Sequence, residues 1–198
     1  MGAIRVTRLI LLVATLAFVS AALPCDAQPR AIDSKRSTVT VRVFKSGLFR
    51  AFADDHIIEA SLAEGSLEDS ATPNVRLVID VRAMKVLDPG LSPKDRQDVQ
   101  TRMMGPEVLD ADRVQHIRFR SVAIEKADGG RWSVRGELEM HGQTHPVSLS
   151  VVREQGRYKG STSLRQSDFG ITPISIAGGT VKVKDEIKID FDIATAGQ

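Results

Sequence analysis

Trp132-Ser-Val-Arg-Gly-Glu-Leu-Glu-Met140 is the stretch that decides the fold. Trp132, Val134, Leu138 and Met140 are apolar, with Gly136 between them, while Ser133, Arg135, Glu137 and Glu139 are polar. Successive side chains of a β-strand point to opposite faces, so this pattern predicts a strand with one dry and one wet side. The same period recurs at Val39, Val41 and Val43, at Val75, Leu77, Ile79 and Val81, and at Ile187, Ile189, Phe191 and Ile193. It places Val41, Ile79, Phe119, Trp132, Leu138 and Phe191 inward, and Arg42, Asp80, Arg118, Arg135, Glu137 and Asp190 outward. A slip of one residue would reverse every side chain of its strand. A sheet that is dry on one face must cover that face. With one convincing helix in the chain, closure of the sheet on itself is the expected solution. The predicted fold is therefore all-β, an antiparallel eight-stranded barrel able to hold one small ligand.

The eight strands are predicted near residues 38–45, 55–67, 75–83, 116–126, 131–141, 144–155, 157–165 and 185–194. Turn residues separate several of them, at Pro73-Asn74, Asp128-Gly129-Gly130 and Gln155-Gly156. Strands joined by short loops should pair antiparallel. One short helix is predicted between strands 3 and 4. Ser92 can cap it, Pro93 suits its first turn, Asp95 takes the capping-box position, and Gly105-Pro106 ends it. Val99 and Met103 share one face of this helix. It should pack over an end of the barrel, where methionine offers an adaptable apolar contact. The apolar loop from Asp168 to Val181 reads equally as a second lid or as a packed crossing segment.

Arg5 and Arg8 precede an apolar run from Leu9 to Leu23 that is short and wrongly flanked for a membrane span. Residues 1–27 are read as a signal peptide cut after Ala27, and 28–198 as a single domain; an uncleaved amino-terminal anchor is the alternative. The expected location is periplasmic or secreted. Cleavage removes Cys25, the only cysteine, and with it any disulfide or thiolate chemistry. The full chain has 27 basic and 25 acidic residues; without Arg5, Arg8 and Asp26 it keeps 25 and 24, a net charge of about +1. Basic residues lie scattered among acidic ones with no interleaved aromatics, which argues against a nucleic-acid surface.

No catalytic signature stands out. His141 and His145 have H-x-x-x-H spacing, but Gly142, Thr144 and Pro146 break any helix, so a hairpin turn is expected there and no metal site. Asp168-Phe169-Gly170 matches a kinase tripeptide, yet the partner motifs of a kinase are missing. Asp54-Asp55-His56 is more informative. His56 shares the dry parity of Ile58, Ala60 and Leu62, and reads either as a satisfied core histidine or as a polar contact at the barrel mouth. Paired with Asp54 or Asp55 it could also serve as a general base. No cofactor fingerprint accompanies it.

Several segments together resemble the YceI-like family of exported lipid-binding proteins. They are Ile32-Asp33 with Ser37 and the Val39/Val41/Val43 strand, Lys45 to Phe49, Gly105 to Leu109, Ile117 to Ser121, Gly136 to Val147, and Arg165 with Asp168-Phe169-Gly170. Arg36 and the Asp54-Asp55-His56 stretch depart from the family's usual pattern. The resemblance implies a lipocalin-like barrel whose elongated apolar interior holds a polyisoprenoid or a related long-chain amphiphile. The expected ligand contacts are Val41, Phe52, His56, Ile79, Met103, Phe119, Trp132, Leu138, Phe169 and Phe191. The expected partner is a long-chain isoprenoid or fatty lipid, with no nucleic acid, no cofactor and no metal; a homodimer is left open. The competing readings are a His/Asp-dependent enzyme acting on a hydrophobic substrate and a secreted module with a filled core.

Overall fold

The computed structural model describes residues 29–46, 55–70, 72–176 and 181–197. Its strands are β1 (Arg30–Ala31), β2 (Thr38–Ser46), β3 (His56–Glu59), β4 (Leu62–Glu68), β5 (Asn74–Asp80), β6 (Lys85–Val86), β7 (His116–Ala127), β8 (Arg131–Met140), β9 (Gln143–Glu154), β10 (Arg157–Arg165), β11 (Ser175–Ile176) and β12 (Val181–Ile193); helix α1 spans Pro93–Met104. The hydrogen-bonded order is β1-β4-β5-β7-β8-β9-β10-β12-β2-β3-β6, with β11 attached to β12.

This arrangement corrects the closed eight-stranded barrel. Among the described residues β1 and β6, the two ends of the path, do not pair with each other, so the sheet is an open, strongly curled half-barrel. The helix follows β6 and does not lie between strands 3 and 4. Two physical reasons account for the difference. β1, β6 and β11 are two residues long, too short to show any period. The predicted strand at 55–67 also divides at Ala60-Ser61: β3 pairs with β2, whereas β4 pairs with β5. The chain thus steps from one end of the ladder to the other through a covalent link.

Where both faces of a strand are read, alternation holds until a bulge resets it. Leu62 and Leu67 are both buried although an odd number of residues apart, because the register shifts between Leu62 and Glu64. A second shift between Ser121 and Ala123 leaves Val122 65% exposed. The hairpins β8–β9 and β9–β10 turn through His141-Gly142 and Gln155-Gly156, with positive φ at both residues of each pair. That geometry matches the right-handed twist of the flanking strands. Outward residues carry cross-strand ion pairs, Arg42–Asp190 at 3.1 Å and Arg135–Glu125 at 2.9 Å, which are exposed and contribute little each.

Helix α1 begins as its sequence predicts. The Ser92 hydroxyl accepts the Asp95 amide at 3.2 Å and donates to the Asp95 carboxylate at 2.7 Å, and Gly105 forms the C-cap. Gln100 then fastens the helix to the sheet: its side-chain oxygen accepts from Val86 N at 2.8 Å and its amide donates to Met84 O at 2.9 Å. A side-chain amide thus takes the place of a neighbouring strand at the β6 edge.

Candidate ligand cavity

The concave face encloses two apolar chambers. The first, of about 140 Å³, is lined by Val41, Ile79, Met103, Phe119 and Leu138 with their neighbours, and its only polar side chains among the described residues are Thr162 and Gln166. The second, of about 120 Å³, takes in Trp132, Phe191, Val75 and Ile193. Leu77, Phe119 and Leu149 belong to both, so the two are neighbours divided by three side chains. Every residue assigned inward from the sequence lines one chamber or the other.

The second chamber has a polar rim made by Glu68, Asp69, Arg153 and Tyr158. Arg30 donates to the Tyr158 hydroxyl at 3.2 Å and lies 3.8 Å from the Asp69 carboxylate. The Arg153 guanidinium stands 5.5 Å from the centre of the Tyr158 ring, and Trp132 lies 6.3 Å from the same ring. An apolar interior with a charged and hydroxylated rim has the polarity of an amphiphile.

Two glycines make room for the aromatic walls. A methyl group at Gly136 would overlap the Phe119 ring and the Arg120 carbonyl oxygen; one at Gly160 would overlap Phe191 and the Ser150 carbonyl oxygen. The rings therefore lie over bare backbone on the neighbouring strand, a close approach that only glycine permits.

At the helix end, Met103 is buried and reaches the first chamber, and Val99 and Met104 are partly buried against the same core. Met103→Asp is expected to speed the release of a bound lipid well beyond Met103→Leu, because a carboxylate at an apolar contact must be desolvated or must push the helix away. The measurement is the lipid off-rate of both variants, with melting curves to match their stability. Equal off-rates in equally stable variants would show that the helix does not gate the cavity.

The remaining expected contacts fall elsewhere. His56 lines neither chamber: its Nδ1 lies 2.6 Å from the Asp88 carboxylate, whose other oxygen accepts Ile57 N at 2.6 Å. Asp88 is buried and lies in the loop after β6, far in sequence from the Asp54 and Asp55 expected as partners. Asp55 instead accepts Lys45 N at 3.0 Å, and Asp54 and Phe52 lie outside the described residues. Phe169 is 1% exposed and sits in a 3-10 turn, Gln166–Phe169, outside both chambers. His145 packs edge-on against its ring at 5.2 Å, and His141 Nδ1 donates to its carbonyl at 3.1 Å. The H-x-x-x-H pair thus serves a hairpin and its packing. Among the described residues no three His, Cys, Asp or Glu side chains gather as a metal site.

The turn that carries Phe169 is tied to β12. Gln166 donates to Lys184 O at 2.8 Å, and Ser167 donates through its hydroxyl and its amide to Asp185 at 2.6 and 2.8 Å. Those hydrogen bonds hold the Asp185 carboxyl below the ordinary carboxylate range. With a folded pKa below the unfolded one, this anchorage is complete above the unfolded value and is lost as pH falls through the folded value.

Sequence reading missed Asp88, Gln100, the rim residues and the spacing role of Gly136 and Gly160. Only the glycines left a signal, as gaps in otherwise apolar alternation. Asp88, Gln100 and the rim act through partners distant in sequence.

Residues 31–195 match the model of the YceI-like domain family. A UPF0312 protein of Vibrio parahaemolyticus is 25% identical over 199 residues, covering 90% of this chain and 96% of its own length. A UPF0312 protein of Vibrio cholerae is 23% identical over 130 residues, 61% of this chain and 63% of that protein. Among solved structures, BcnA of Burkholderia cenocepacia superposes with a TM-score of 0.65 at 19% identity, over 82% of this chain and 98% of that one. A polyisoprenoid binding domain from Saccharophagus degradans, implicated in plant cell wall breakdown, gives 0.55 at 14% identity, over 82% and 95%. These structures share the fold. Since the family model spans nearly all of the described chain, the protein belongs to the YceI-like domain family.

Proposed function

We propose that the mature protein is an extracytoplasmic carrier that holds a long-chain isoprenoid or similar amphiphile with its apolar chain in these chambers. The observation that carries this reading is the apolar lining that runs from Met103 to the Tyr158 rim past Phe119. Each methylene transferred from water to such a lining contributes about 0.8 kcal/mol, so several isoprene units exceed the ordering cost of binding. The relative from Saccharophagus degradans, described as a polyisoprenoid binding domain, supports the ligand class. The leader pattern, Arg5 and Arg8 before Leu9 to Leu23, supports export with a mature start at Gln28. No helix among the described residues is long and apolar enough to cross a membrane. Of the other readings, a His/Asp enzyme needs His56 to face a bound substrate, and His56 faces Asp88 instead.

Native mass spectrometry of the protein exported with its own leader tests the proposal. The expected result is a mature mass beginning at Gln28 that carries a bound long-chain lipid, or that takes up an added C55 polyprenol stoichiometrically. A lipid-free protein that refuses polyprenols and long-chain fatty acids alike would overturn it.

A further inference from the structure

The β8–β9 ladder continues to the hairpin turn at Met140↔Gln143, but β9 and β10 pair only from Glu154↔Arg157 to Ser150↔Ser161. Beyond that point β10 stays with β12 as far as Arg165, and β9 parts from it. Residues 143–149 of β9 thus have no ladder partner on the β10 side among the described residues. One side-chain bond spans the gap, from Thr162 Oγ1 to Ser148 O at 3.0 Å. Pro146, two residues further along the same edge, has no amide to leave unpaired there.

The parting opens a cleft of about 370 Å³ on the outer surface. Val147, Thr162 and Leu164 line that cleft and also line the first chamber. A wall one side chain thick therefore separates the apolar interior from solvent at this place. Phe169 stands in the cleft; the turn that carries it is hydrogen-bonded to β12, and it meets β9 and its hairpin through His145 and His141. β9 can part from β10 without breaking that turn's hydrogen bonds to β12.

We propose that this β9–β10 fork is a side port through which the ligand's tail reaches the first chamber, with Phe169 as its plug. The port rests on the lipid-binding reading above and adds the route. Local opening occurs where the fewest backbone hydrogen bonds must break. At the fork that number is small: Thr162 to Ser148, and His141 to Phe169 O. At the helix end, Gln100 holds both a donor and an acceptor of the β6 segment, and Met103 is packed into the chamber. At the far end a tail would have to pass the charged rim and then the Phe119 divide.

A staple across the fork tests the port. Ser148 and Ser163 are exposed and continue the β9–β10 register beyond its last pair. In the mature protein, which has no cysteine of its own, S148C/S163C can be joined by oxidation, or by a short bis-maleimide where the thiols stand too far apart for a disulfide. The probe is a pyrene-labelled C16 fatty acid presented in phosphatidylcholine vesicles, followed by stopped-flow fluorescence. Stapling is expected to slow uptake and release together by about tenfold or more with Kd unchanged, as for a gating step. Cleaving the disulfide restores the rates, and Phe169→Leu speeds both several-fold. Uptake at rates that neither the staple nor Phe169→Leu alters would overturn the port alone. A protein that takes up no probe in any form would overturn the lipid-binding reading and the port with it.

Discussion

Asp88→Ala is expected to destabilise the fold by about 2–4 kcal/mol, through the loss of a buried hydrogen-bonded carboxylate. The change orphans Ile57 N–H and removes the partner of His56 Nδ1, both at 2.6 Å. Asp88 is 2% exposed, so water does not readily take its place. His56→Ala should cost less, because that side chain is 26% exposed and its removal leaves the Ile57 bond intact. The double variant should cost less than the sum of the two single changes. Urea unfolding of the four proteins at neutral pH measures all three quantities. Strict additivity, or an Asp88→Ala effect below about 0.5 kcal/mol, would mean that the pair does not fasten the post-β6 segment to β3.

Gly136→Ala should damage both stability and ligand capture. The added methyl group overlaps the Phe119 ring and the Arg120 carbonyl oxygen, and overpacking of this kind costs about 1–3 kcal/mol. The backbone oxygen belongs to a paired strand, so the ring is the part that can move. Phe119 divides the two chambers, and a displaced ring narrows the passage between them. Long chains that need both chambers should lose affinity more than short ones that fit one. Phe119→Leu in the same protein should restore part of each loss by vacating the overlap. Affinities for C12 and C20 fatty acids, measured in all four combinations, give the answer; an equal loss for both lengths, unrelieved by Phe119→Leu, would remove Phe119 from its dividing role.

Much of this architecture was legible because a β-strand has the simplest code in a sequence. The parity of Val41, Ile79, Phe119, Trp132, Leu138 and Phe191 names the side of the sheet on which each lies, and all six line the cavity. The Ser92-Pro93-x-Asp95 start and the Gly105 stop gave α1 its limits, since capping is a local hydrogen-bond problem. Closure was not legible. Alternation says which face is dry and says nothing of how many strands share it or whether the last meets the first. The odd interval from Leu62 to Leu67 did hold a clue, for two residues so spaced cannot both be buried without a bulge. Within the site, apolar walls were readable from parity, whereas polar contacts were not. His56 has acidic neighbours in sequence, yet its partner is Asp88, brought alongside by β3–β6 pairing.

The pairing of β2 with β12 has a consequence for the order of assembly. Strands β7 to β10 form hairpins with their neighbours and can form early, whereas Val39 meets Phe191 across about 150 residues of intervening chain. Closing so long a loop costs conformational entropy before any contact offsets it. Until β2 docks, the cavity lacks the wall that carries Val39, Val41 and Val43, and the apolar face of the meander stands open to solvent. A ligand that needs both halves binds only the finished sheet, so its affinity adds to the equilibrium favouring that last, slow docking.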